Sequence, residues 1–239
     1  MKDLKAFALL TVSNIKLQHR QGFTAAWLVI SLFYILGLYF LPENLTAKIL
    51  PLILLSEPST FAMIFTGAIL LLERDEGLLE NLFITPLPVK TYMLAKALAL
   101  SLPAMGSTLL ISLVLAPLRW SLLLVLPGVF LTTLFFSLFT FIPASASRDI
   151  MSLIGRIGFY GYVFTFSILD YFGILKGWYQ YILPSKGTLI LMTMAVGKEP
   201  GSPLELIPAF ASLAAGILVI LPLAEKSFYK NLILQGAPR

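Results

Sequence analysis

The sequence predicts an all-α polytopic membrane protein: six transmembrane helices, an amphipathic interfacial helix at the amino end, and both termini in the cytoplasm. Three observations predict it. Hydrophobic residues fill 58% of the 239 positions and charged residues only 12%, where soluble domains carry about 25% charged residues. The apolar residues gather in runs close to the ~20 residues that cross a hydrocarbon core as a helix. The lysines and arginines gather in one alternate set of connecting segments.

The leader, residues 1–21, reads as a basic amphipathic helix. Leu4, Phe7, Ala8, Thr11 and Ile15 share one face at helical spacing, with Lys2, Lys5, Ser13, Lys16 and Arg20 opposite. Such a helix lies on the inner leaflet with its apolar side down. His19, the single histidine, falls in this basic end and reads as an interfacial residue. The first apolar run follows without a small-residue cleavage site, so it reads as a retained span rather than a signal peptide.

Six spans follow by length and apolarity, at 22–41, 52–72, 98–115, 121–142, 150–175 and 206–223. They make residues 22–224 one six-helix transmembrane domain, with 225–239 as a cytoplasmic tail. Sending the first span outward leaves twelve of the seventeen lysines and arginines inside. Lys2, Lys5, Lys16 and Arg20 lie in the leader, Arg74, Lys90 and Lys96 after the second span, Arg148 and Arg156 after the fourth, and Lys226, Lys230 and Arg239 in the tail. This obeys the positive-inside rule, which the reverse orientation violates. The pI near 9.4 is therefore a topology signal. No basic stripe with interleaved aromatics accompanies it, so no nucleic-acid partner is expected.

The outer segment 176–204 is the longest link. Within it Thr188–Val196 is apolar but too short to span, and reads as an interfacial or re-entrant element preceded by an aromatic belt of Trp178, Tyr179 and Tyr181. Gly155, Gly158 and Gly161 at the head of the fifth span read as helix-packing residues. Two carboxylates fall in or beside apolar runs, Glu57 ahead of Pro58 and Asp170 near the end of the fifth span. An ionisable residue at membrane depth is a functional candidate by default, here for a transport pathway. Glu57 also reads as a residue at the interfacial start of its span.

Charge in this oily chain concentrates in ERDEGLLENLFITPLPVKTYMLAK, residues 73–96. Placed on a helix, Glu73, Glu76 and Glu80 fall on one face and Leu78, Leu79 and Leu82 on another. Pro86 and Pro88 end that helix, because proline cannot continue one and biases its predecessor to extended backbone. A helix this short is marginal alone. An anionic inner leaflet repels its glutamates, which favours a protein partner.

This segment resembles the cytoplasmic signature of type-2 ABC transporter permeases, through Glu73, Glu76, Gly77, Leu79, Thr85, Pro86, Leu87, Pro88, Tyr92 and Lys96. It departs at Leu78, where threonine is common, and at Ala95, where glycine is common. The resemblance extends to the leader, the six spans and the short outer elements before the sixth. Whole-chain features such as the IKLQHRQGF leader are most similar to drug-export permeases of the fluoroquinolone group. The resemblance implies a coupling helix that docks on a separate ATP-binding subunit through Glu73, Glu76, Gly77, Leu79, Glu80, Leu82, Phe83, Thr85, Pro86 and Pro88. It implies a second permease copy, identical or different, and a prokaryotic plasma membrane. An amphipathic or hydrophobic cargo would leave by alternating access between the two permeases.

The residues themselves narrow the chemistry. No G-x-x-x-x-G-K-[ST] phosphate loop occurs, so ATP and its magnesium belong to a partner, and no cofactor is expected in this chain. Without cysteine there is no thiol nucleophile or thiolate metal site. A membrane-embedded enzyme would need paired carboxylates, Ser with His, or histidine ligands, and none is in place. An ion-gradient transporter is the other alternative. It would show inverted repeats and midplane charge, and the chain shows no such repeat.

Overall fold

A computed structural model describes residues 2–79, 88–115, 122–175, 177, 181–196 and 203–233. Among them every regular element is helical. In chain order these are α1 (Lys2–Arg20), α2 (Phe23–Tyr39), α3 (Glu43–Asp75), α4 (Val89–Leu115), α5 (Leu122–Ala146), α6 (Ile150–Tyr171), α7 (Pro184–Ala195) and α8 (Pro203–Phe228), with a π-helical turn over Tyr229–Ile233. Five helices, α3 to α6 and α8, are long and apolar enough to cross a membrane, and the bent pair α1–α2 makes a sixth candidate.

The bend is 64° and falls at Gly22, whose φ of +78° is left-handed, a conformation glycine adopts without a Cβ penalty. It separates the amphipathic leader from the 17-residue, mostly apolar α2, which sits at the short end of spanning lengths. The α1 face that packs inward is not the expected one. Its buried residues are Thr11, Asn14 and Gln18, a polar stripe, while Leu9 and Val12 are exposed. The leader packs on α4, with Asn14 accepting from Lys96 there and Leu17 packed against the core.

The second span is much longer than its apolar run. Helix α3 starts at Glu43, nine residues before the expected Leu52, and continues through Pro51 and Pro58 to Asp75. Its 33 residues make a rod of about 50 Å. The last span likewise runs past its expected end at Leu223, to Phe228. Polar first and last turns are legal for a helix that extends beyond hydrocarbon, and hydropathy does not register them.

Helix α5 is the hub, packed against α3, α4, α6, α7 and α8. One buried cluster joins Trp27, Leu54, Phe65, Leu100, Ile111, Leu191 and Leu213. The other, around Leu70, Met93, Phe136, Phe141, Leu153 and Phe228, reaches Leu79, Val89 and Tyr92 at the loop end of the bundle. Paired hydroxyls cross the seams: Thr66 with Ser137 at 2.6 Å, Thr132 with Thr188 at 2.6 Å, and Ser167 with Ser185 at 2.7 Å. Such bonds between transmembrane helices are worth roughly 0.6–2 kcal/mol each.

Helix α7 is the short apolar element expected in the outer segment. It starts four residues earlier than expected, with Pro184 in its first turn, where a missing N–H costs nothing. Leu189, Leu191, Met192 and Ala195 are buried, so it is packed into the bundle against α5 and α8. Gly187 allows this, since a Cβ there would meet the Ala209 carbonyl oxygen at 2.5 Å. Trp178 and Tyr179 lie outside the described residues, and Tyr181 is exposed.

Candidate functional site

The charged segment 73–96 is rooted in the bundle rather than laid on its surface. Helix α3 ends at Asp75, and Glu76 and Gly77 form a turn. Gly77 has φ +68°. A left-handed residue ends a helix by turning the chain away from its axis, so Leu78 and Leu79 do not continue the helix that Glu76 caps. That corrects the single amphipathic helix expected from residue 73 onward.

The turn sorts the acids. Glu73 is buried, while Asp75 and Glu76 are exposed. The Lys96 ammonium donates to Glu73 Oε1 at 2.6 Å, and the Tyr92 hydroxyl donates to Glu73 Oε2. Lys96 also donates to Asn14 Oδ1 at 3.2 Å, and so reaches α1. Its side chain is 0% exposed and that of Glu73 11%. Both carboxylate oxygens are thus satisfied, as a buried ion pair requires if it is to offset its desolvation. This knot ties α1, α3 and α4 together at one end of the molecule.

Neighbouring cations brace the same end. Arg74 donates to the Ser147 carbonyl at 2.5 Å and also to that of Arg148, clamping the turn between α5 and α6. Lys90 meets Glu225 of α8 at 3.3 Å. Arg74, Lys90 and Lys96 were read from sequence as orientation signals, and each also holds helices together. Lys96 and Tyr92 belong to the signature read from sequence but not to its docking residues, and their pairing with Glu73 is what the structure adds.

Of the other docking candidates, Leu79 is 4% exposed and packs in the protein's own core beside Tyr92. Gly77 is half-buried, and Pro88 is exposed at the start of α4. Glu80, Leu82, Phe83, Thr85 and Pro86 lie outside the described residues. Leu10, Asn14, Leu17, Leu78, Leu79 and Tyr92 border a half-open recess of about 240 Å³ between the leader and the loop stem.

The two pathway candidates have different surroundings. Asp170 is bound to Lys186 of α7 in a partly buried pair, with the Tyr181 ring 5.8 Å from the ammonium. That arrangement fastens α6 to α7. Glu57 is 1% exposed, and fourteen residues inside α3 rather than at its interfacial start. Its Oε1 lies 2.5 Å from the Ser107 hydroxyl of α4, and its Oε2 has no hydrogen-bond partner among the described residues. Among the described residues no group of three or more acidic, histidine or cysteine side chains is placed to hold a metal.

The aromatic residues of α5 and α6 also separate. Phe135, Phe136 and Phe139 surround Phe164, with ring centroids 5.5, 4.9 and 5.2 Å away. These are seam packing between α5 and α6. Phe159, Tyr160 and Phe166 point out of the bundle, and a Cβ added at Gly155, Gly158 or Gly161 would meet nothing within 4 Å among the described residues.

A family model for the fluoroquinolones export permease proteins matches residues 6–236, nearly the whole chain. The chain belongs to that family. This permease is therefore a multi-pass membrane protein and a transport subunit, and the drug-export resemblance carried by whole-chain features such as the leader is borne out. Comparison with curated proteins and with solved structures gave no match.

Proposed function

We propose that this permease is the membrane-spanning half of an ATP-driven exporter, whose exposed loop docks on a separate ATP-binding subunit. The observation that carries the reading is the rooted loop. Asp75, Glu76 and Leu78 are exposed on a stem whose root, Glu73–Lys96–Tyr92, is buried. A surface hung on a buried ion-pair knot transmits a push without deforming. The push reaches α3, α4 and, through Asn14, α1. Two such permeases with two ATPases would alternate between inward-open and outward-open arrangements in a prokaryotic plasma membrane, both ends of each chain inside.

The ATPase supplies the nucleotide and magnesium chemistry, and this chain supplies the path and the lever. The acids Asp75, Glu76 and Glu80 face basic groups of the partner, while Leu82 and Phe83 enter its groove in the helix-in-groove mode. An amphipathic or hydrophobic cargo fits the family assignment and the apolar faces that α6 and α8 expose.

Co-purification from detergent with the candidate ATPase tests the reading. Glu76→Lys and Leu82→Asp are expected to abolish the complex and ATP-dependent export, while the permease still inserts and accumulates. Export persisting in vesicles that contain no ATPase would overturn it.

A further inference from the structure

Glu57 poses a question of hydrogen counting. Three contacts at hydrogen-bond distance run in line through the bundle. Glu57 Oε1 of α3 lies 2.5 Å from Ser107 Oγ of α4. Ser107 Oγ lies 2.5 Å from Ser31 Oγ of α2. Ser31 Oγ lies 2.7 Å from the Trp27 carbonyl oxygen. All three side chains are buried, at 1%, 2% and 0% exposure.

Each contact needs one hydrogen, and a serine hydroxyl has one to give. The Trp27 carbonyl only accepts, so the Ser31 hydrogen goes there. The Ser107 hydrogen then goes to Ser31. The two serines supply two hydrogens for three contacts, and the third must come from Glu57. We propose that Glu57 is a proton-binding site inside the membrane bundle, its proton completing an acid–serine–serine–carbonyl chain that joins α3, α4 and α2.

The surroundings agree. No ion pair of the described residues includes Glu57. From α2 the titratable side chain within electrostatic reach is the Tyr34 phenol. On α4 the nearest cation is Lys96, eleven residues before Ser107 and engaged by Glu73. Helix α5 carries no ionisable residue. The α7 cation, Lys186, is held by Asp170. On α6 Arg156 is exposed, and on α3 itself Lys48 is exposed and Glu73 is paired. A proton is also the one cationic ligand that needs no cavity.

Release has a definite cost in contacts. The Glu57 O–H bond breaks, its electron pair stays on the carboxylate, and the proton passes to water. The Ser107 hydrogen then turns to Glu57 and the Ser31 hydrogen to Ser107, so the Trp27 carbonyl loses its hydroxyl donor. The new carboxylate faces no cation, and a charge so placed is expensive until water or a cation reaches it. Proton release is thereby tied to water or a cation reaching this seam, while both interhelical contacts, Glu57–Ser107 and Ser107–Ser31, are kept. The site stands whatever drives export.

Infrared spectroscopy of the purified permease reconstituted in lipid tests the assignment. The expected result is a carbonyl stretch of a protonated carboxylic acid at neutral pH, lost in alkaline buffer and absent from Glu57→Gln. Finding every glutamate in its carboxylate bands at neutral pH would overturn the proposal. Should Glu57→Gln fail to accumulate, the wild-type spectrum still decides presence or absence. Ser107→Ala keeps the acid but removes its acceptor, and is expected to shift the band to higher frequency. A band that neither substitution moves belongs to another residue, and the proposal falls.

Discussion

By sequence Lys96 counts as an inside charge just ahead of the third span, which is where most lysines near a span belong. Its side chain is instead wholly buried against Glu73. Twenty-three residues separate the two, and no local pattern encodes a pairing that depends on how α3 and α4 pack. The consequence is measurable. Removing one partner of a buried pair strands the other's charge, at about 3–5 kcal/mol. Lys96→Met is expected to destabilise the purified protein by that order. Glu73→Gln combined with Lys96→Met should cost distinctly less, since no charge is left alone. Tyr92→Phe removes one hydrogen bond to a charged group, worth roughly 1.5–3 kcal/mol. Thermal unfolding in detergent checks all of these with Glu73→Gln alone alongside, and a double-variant loss equal to the sum of the two single losses would show that the pair contributes no coupling.

At the scale of elements, the existence of each helix was legible and the edges were not. Apolar runs mark the part of a helix that lies in hydrocarbon, so α3 and α8 were found but cut short where they continue with polar residues. The polar stripe of α1 was invisible for a different reason: an amphipathic pattern shows which residues differ, not which side another helix claims. Helix α7 was legible as too short to span, and its depth was fixed by Gly187. Gly187→Ala is expected to force α7 off α8 against the Ala209 carbonyl, costing about 1–3 kcal/mol as overpacking and lowering the thermal midpoint.

Helix α6 has its own device. Asp149 caps it, accepting the Ser152 N–H at 2.8 Å while Ser152 returns a hydroxyl contact to the Asp149 N–H at 3.2 Å. The Ser152 backbone bond holds the Asp149 carboxyl below its ordinary range. A depressed folded-state pKa means stability that is present above the unfolded value, about 4, and lost as pH falls through the folded one. Asp149→Asn keeps a capping oxygen and removes this proton linkage. Its midpoint is expected to match wild type at neutral pH and to fall less steeply in acid, as a pH series of melting curves would read. An unchanged acid limb would exclude Asp149 as a contributor.

For the whole molecule, the family match and the candidate spans leave orientation to be argued from charge. The positive-inside count gains and loses from the structure. Lys96 and Lys186 are neutralised by buried or partly buried partners, one from each side of the tally. Removing both leaves the inside excess intact, at eleven against four. Helix α3 turns that excess into a decisive experiment, because Lys48 and Asp75 are both exposed near its opposite ends. They stand 27 positions apart, about 40 Å along the helix, which exceeds a hydrocarbon core of ~30 Å. The sequence has no cysteine, so single-cysteine reporters need no cleared background. Asp75→Cys is expected to react with a membrane-impermeant thiol reagent only in inside-out vesicles, and Lys48→Cys only in right-side-out cells. The reverse pattern would put the loop outside, beyond reach of any cytoplasmic ATPase, and would sink the docking reading along with the orientation. Labelling of both from one side would mean that α3 does not cross the membrane at all.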